Sequence, residues 1–306
     1  MPSWGGFVMR RFRVHLVAVA ALAALAALPL PQAMAAAKGP GPQVGEKDFA
    51  VKNFSARSTT VDNPFLPLVP GQQFTLTGTT TEGKHEVVFT VTDVTKWVDH
   101  VRTVVIWDRD FQDGELAEEE LAFMAQDDAG NVWSIGEYPE VHEDDGTVDA
   151  PDTWLAGHNG ATAGVLMRAN PKTNTSAYVQ GRSPDIEFLD KAKVFQTNQK
   201  TCGPTGCYNG VLVVDEWNPL AQPEDGHQFK YHAPGVGVVQ IVGKGGTEQE
   251  TLVLTKRHTL SDKEMAAATA RTLQLDQRAY SLARDVYGHT AFAHPRRDGT
   301  ADTEER

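Results

Sequence analysis

Seven carboxylates fall within thirteen positions: Asp108, Asp110, Asp113, Glu115, Glu118, Glu119 and Glu120. Acids this dense hold the parts for glycosidase-type hydrolysis, in which one carboxylic acid protonates the leaving group and a second carboxylate attacks or activates water. Their number makes many pairs possible and marks none of them. Three glutamates in a row also suit the edge of a sheet, where charge discourages pairing with another chain, and edge protection is the reading this run supports best. His142-Glu143-Asp144-Asp145 sets four metal-ligand types side by side. A hard cation such as Ca²⁺ takes such oxygens, but the spacing fits no EF-hand. His227, His232 and His258 lie on separate expected strands, and a general base among them would need a nucleophile or carboxylate within reach.

Cys202 and Cys207 flank Gly-Pro-Thr-Gly, a turn sequence. Four intervening residues match neither a redox C-x-x-C nor a zinc pair, so a structural disulfide is expected. The short loop makes its stabilisation about 2 kcal/mol. Aromatic side chains are the remaining candidates. Trp107, Phe123, Trp133, Trp154, Trp217 and Tyr231 sit in or beside expected strands, and their large apolar faces suit a cavity for a lipid or other apolar small molecule. Plain core packing is the reading these side chains support better. The chain has no G-x-S-x-G, H-E-x-x-H, P-loop or strand-linked G-x-G-x-x-G. No catalytic residue, metal or cofactor is assigned.

These residues need a scaffold, and the sequence describes one. Expected strands cover Gln73–Thr80, His85–Thr95, Arg102–Phe111, Leu116–Gln126 and Val132–Gly136, with period-two patterning. Leu121 and Phe123 fall on one face of their strand, Ala122 and Met124 on the other. Asp113-Gly114 is a hairpin signal. Residues 138–190 break the rhythm and read as a loop excursion, with a short strand near Val165–Met167. Strands resume at Lys193–Gln199, Val211–Trp217, Gln228–His232, Val236–Val242 and Thr251–Lys256. Ser261 with Glu264 three residues later forms a capping box, opening a helix that Gly288 ends. Asn63–Gly71 holds three prolines in seven residues, which forbids helix. The expected class is mainly β: a curved antiparallel meander sheet or half-barrel, in one domain with a C-terminal α-helix. The expected divisions are a signal peptide at 1–37, a flexible lead-in at 38–60, the β domain at 61–258, the helix at 259–289 and a disordered tail at 290–306.

The N-terminus supplies an address. Arg10, Arg11 and Arg13 precede an apolar run from Leu16 to Leu30, followed by Ala33-Met34-Ala35-Ala36-Ala37. That order is a secretory signal peptide, and the run is short of the roughly 20 residues needed to span a bilayer. No later segment is apolar enough to do so. The net charge of −12, with no acid among the first 37 residues, argues against a nucleic-acid partner. Oligomeric state is not legible.

Several segments, in order, resemble a group of secreted bacterial proteins of unknown function. They are Asn63–Gly71, Asp113-Gly114-Glu115-Leu116, Ala125–Trp133, Gly136-Glu137, Glu216–Leu220 and Tyr231–Gly237. The resemblance implies an exported β-sheet protein without an assigned activity. Residues 163–171 and 174–190 depart from the group's pattern. The curved sheets of periplasmic lipoprotein carriers offer a looser fold-level analogy that would favour lipid binding.

The leading expectation is an exported, non-enzymatic protein that binds an apolar or amphipathic ligand at the cell envelope. The alternatives are an envelope hydrolase built from carboxylates and histidines, and a structural or interaction module stabilised by Ca²⁺. Cleavage is expected after Ala35 or Ala37. The mass of the exported protein checks this, since its first residue should be Ala36 or Lys38.

Overall fold

The computed structural model describes residues 43–143, 145–223, 226–247 and 249–296. The expected signal peptide and residues 297–306 of the expected tail lie outside them. In chain order the strands are β1 (Gln72–Thr80), β2 (Gly83–Val98), β3 (Val101–Gln112), β4 (Glu115–Gln126) and β5 (Val132–His142). The short β6 (Val148–Asp149), β7 (Trp154–Leu155), β8 (Thr162–Met167) and β9 (Tyr178–Ser183) follow. Then come β10 (Phe188–Gly203), β11 (Gly206–Trp217), β12 (His227–Ala233), β13 (Gly237–Lys244), β14 (Thr251–Thr259) and β15 (His294–Pro295). Two helices, α1 (Asp262–Leu282) and α2 (Arg284–Tyr287), lie between β14 and β15.

Twelve of these strands, β1–β5 and β8–β14, form one antiparallel wall in which almost every neighbour in space is the neighbour in sequence. The wall is closed. β1 pairs with β2 on one side and with β14 on the other, so the sheet is a barrel and not the open curve or half-barrel that the local pattern suggests. Closing removes both edges of the sheet. At the seam β1 carries a register shift between Thr75 and Leu76, and a Cβ on Gly78 would stand 1.6 Å from the Thr251 carbonyl oxygen. A glycine and a bulge are what a sheet needs to bend tightly onto itself.

Residues 138–190 stay with the wall rather than leaving it. β5 runs on to His142, β6 and β7 pair back onto it, and β8 and β9 are wall strands. Their brevity hides them from a period-two reading. The lead-in also packs: Phe49 and Phe54 lie 5.4 and 6.2 Å from the Trp133 ring, and Ser58 donates to the Arg102 carbonyl. Of the tail, β15 pairs with β2. Cys202 and Cys207 face each other in the β10–β11 hairpin and are bonded.

The capping box forms as its spacing requires: Ser261 Oγ accepts from the Glu264 amide while Glu264 accepts from the Ser261 amide. α1 lies against the outside of β2–β4, burying Leu275 and Ala279 beside Phe123, with Tyr287 of α2 5.2 Å from Tyr138. A charged pair is enclosed there. Lys96 is fully buried, its Nζ 2.9 Å from the Asp276 carboxylate and 4.5 Å from the centre of the Tyr287 ring. It also donates to the Ala291 carbonyl at 2.6 Å. Burial pulls the lysine's pKa down, and Asp276 opposes that pull. Removing one partner would strand the other in the protein interior. Asp276→Ala should therefore cost about 3–5 kcal/mol in urea denaturation, and the double change Lys96→Met/Asp276→Leu should cost less than the single one.

Candidate functional site

The barrel is a cup with one stopped end. Asn63–Gly71 stoppers the end where β12 meets β13. The amide of Gly235 donates to the Pro64 carbonyl at 2.7 Å, and the amide of Gly71 donates to the Val91 carbonyl at 2.8 Å. The prolines suit this role, because an extended segment without helix can lie across the barrel mouth. Above the stopper lies a chamber of about 280 Å³, with Leu68, Phe74, Leu76, Phe89, Met124 and Ile241 among its walls. It leads into a second space of about 350 Å³ at the opposite end, lined by Glu118, Trp154, Trp217 and His227 among others. The two spaces share Glu120, Glu137, Phe188, Asp190, Glu216 and Lys230. The cup is apolar at its floor and acidic towards its rim.

Strand alternation decides which acids enter. On β4, Glu118, Glu120, Ala122 and Met124 line the interior, while Glu119, Leu121 and Phe123 face outwards. On β3 the interior receives Asp108 and Asp110. β5 needs an extra device. Phe123 pairs with Gly136 but Met124 pairs with Ser134, so one residue is bulged out. The bulge lets both Ser134 and Glu137 face inwards.

The two faces treat their acids differently. Outside, Glu119 is held by a bidentate Arg271 and by the Trp107 indole at 2.8 Å, and Glu140 by a bidentate Arg278 and the Tyr138 hydroxyl. Glu119, Glu140 and His142 stand close enough together to hold a metal ion, but the two arginines already neutralise the carboxylates and tie α1 to the wall. Inside, Lys230 is the only lysine or arginine lining these spaces among the described residues. Its Nζ is 2.7 Å from Glu216. Burial alone would lower its pKa, but Glu216 raises it above the ordinary value. Glu137 accepts from the Trp154 indole at 2.9 Å. His85 bridges Asp110 at 3.2 Å and Glu250 at 2.8 Å, and these partners outweigh its burial and push it up to about 10. Among the described residues Glu118 and Glu120 have no such partner.

Burial and neighbouring acids therefore push Asp108 up to about 7 and Glu118 up to about 8. Burial, with Glu137 and Glu118 nearby, carries Glu120 well above the ordinary carboxylate range. His232 moves the other way, because burial lowers it to about 4. It is neutral, with Nδ1 3.2 Å from the Phe65 carbonyl. Nδ1 must carry the proton to make that bond, which leaves Nε2 as an acceptor.

The aromatic candidates divide by face. Trp154 and Trp217 line the mouth, Trp154 with its ring 5.4 Å from Phe188 and Trp217 stacked 5.1 Å from His227. Trp107, Phe123 and Trp133 lie outside: Trp107 under Arg109, Phe123 beside Tyr287 of α2 and Trp133 under the lead-in. Tyr231 alternates with the inward Lys230 and His232, and so also faces out. The three strand histidines do not converge. His227 pairs with Asp215 at 2.5 Å, His232 with Phe65, and His258 with Glu264 at 3.1 Å. Edge protection does not explain Glu118–Glu120, because β4 lies between β3 and β5. In the acidic loop Asp145 accepts from the amide and hydroxyl of Thr147, closing a turn. Sequence reasoning missed Lys230, Gln180 and the chamber-lining leucines. Alternation about Tyr231 was the signal for Lys230, whereas Gln180 on the short β9 had none.

No protein-family model matches the sequence, and none of the curated proteins does. Among solved structures, one from Parabacteroides distasonis, described as a candidate lipoprotein, superposes with a TM-score of 0.39 at 12% identity. It covers 64% of this chain and 98% of its own. That likeness carries no argument about function.

The inward acids set a pH dependence. Unfolded, they titrate near 4; folded, Asp108 and Glu118 hold their protons to about 7 and 8. Their contribution favours the native state at low pH and is lost as pH rises through the folded values. Glu118→Gln/Glu120→Gln should thus be more stable than the native protein at pH 8.5, by about 2 kcal/mol or more. The gap should narrow towards pH 5, as measured by urea denaturation at both values.

Proposed function

We propose that this is an exported protein whose barrel binds an amphipathic small molecule, its tail among the apolar side chains of the chamber and its polar head towards the inward acids. The observation that carries the reading is the chamber itself. Phe74, Leu76, Phe89 and Ile241 are among its walls, and it is continuous with a polar mouth. Binding sites for small molecules are commonly concave and mainly apolar, with a few placed polar groups. A soluble barrel gains little by keeping such a space empty, since each unfilled cavity costs packing energy.

Export rests on the order of charges and apolar residues before Lys38 and on the resemblance in segments such as Asn63–Gly71 and Tyr231–Gly237 to secreted bacterial β proteins. The bonded Cys202–Cys207 pair accords with an oxidising compartment. Among the described residues no helix is long and apolar enough to cross a membrane.

Ala122 lines the chamber and is small. Ala122→Phe should fill it and weaken binding of octanol at least tenfold, as read by isothermal titration calorimetry. Undiminished binding by that variant, still folded by circular dichroism, would place the octanol elsewhere and overturn the reading.

A further inference from the structure

The inside of the cup narrows the choice of head group. Asp108, Glu120 and His232 line the same chamber. Asp108 accepts only the amide of its neighbour Arg109, at 2.9 Å, and Glu120 accepts no hydrogen bond among the described residues. Glu216 and Glu137, by contrast, are already engaged by Lys230 and Trp154. Two carboxyl groups thus face this chamber with no base hydrogen-bonded to them among the described residues.

His232 is an independent sign. It is 4% exposed, and its Nε2 has no hydrogen-bond partner. A buried polar atom of this kind costs free energy until something satisfies it. Because Nδ1 holds the ring proton, Nε2 can only accept. What Nε2 lacks is therefore a donor. An alcohol would serve His232 but would leave the carboxylates uncompensated. A carboxylate or phosphate head would add negative charge to a wall already rich in it.

We propose that the bound amphiphile has an ammonium head, as in a primary alkylamine, with its N–H groups towards Asp108, Glu120 and Nε2 of His232 and its chain among Phe74, Leu76 and Phe89. This rests on the reading that the barrel holds an amphipathic ligand. A protonated amine has several N–H donors and no acceptor, which matches Nε2 of His232 and the carboxylate forms of Asp108 and Glu120. The cation also supplies the charge that Lys230 alone does not. A charge-assisted hydrogen bond is worth roughly twice a neutral one.

The test is a matched series titrated into the full protein at pH 8: octylamine, octanol and octanoate, followed by calorimetry. Octylamine should bind about tenfold more tightly than octanol, and octanoate most weakly. In Asp108→Asn/Glu120→Gln the advantage of the amine over the alcohol should vanish. That variant removes two repelling acids, so it should melt no lower than the native protein. Equal binding of amine and alcohol to the native protein would overturn the ammonium head and leave the amphiphile reading intact. Binding by none of the three would sink the amphiphile reading itself. Calcium chloride alone raising the melting temperature, with the rise lost in the double variant, would assign the acids to a metal and overturn the proposal.

Discussion

A closed antiparallel wall gives every strand residue one of two destinations, and no edge relaxes the choice. On β4 that constraint sorts three consecutive glutamates. Glu119 goes out to meet Arg271, while Glu118 and Glu120 go into the lumen. The apolar residues beyond them follow the same rule, Leu121 and Phe123 to the helix-covered outside, Ala122 and Met124 to the chamber. The amphipathic character of the cup is thus a property of the pleat, with the acids near one end of β4 and the apolar pair near the other.

The two faces show different ways of keeping a carboxylate away from bulk water. Outside, Glu119 and Glu140 each have a guanidinium in bidentate geometry, so their charge is retained and used to dock α1. Lys96 and Asp276 do the same between β2 and α1. Inside, there are too few bases for the acids, and burial shifts the balance towards the protonated form. A wall that held its acids only for stability would not leave them in this state, since apolar residues of like volume would cost less. The uncompensated groups are concentrated where the cup has space for something else.

Much of this was legible along the chain. The faces of β4 follow from alternation, α1 from the Ser261–Glu264 box, and the hairpin at Asp113-Gly114 from two residues that accept positive φ, which they do at 49° and 92°. The barrel closure was not legible. It joins β1 to β14, strands far apart in the chain, and its local traces are the single Gly78 and a bulge. The bulge in β5 was equally silent, although it turns Glu137 inwards and Tyr138 outwards. The aromatics misled because a tryptophan on a strand has the same signature whichever way it faces. Trp107 and Trp133 cap the outer layer, and the chamber is built mainly from aliphatic and phenyl side chains, which composition alone does not single out.

The central claim is that the barrel interior is a ligand site. Native mass spectrometry of the protein purified from its own secreted fraction tests it most directly. The account predicts a mass above that of the disulfide-bonded polypeptide, with an adduct that leaves on gentle activation and is missing from Ala122→Phe. A bare polypeptide mass at every activation energy, identical in behaviour for the native protein and that variant, would contradict it.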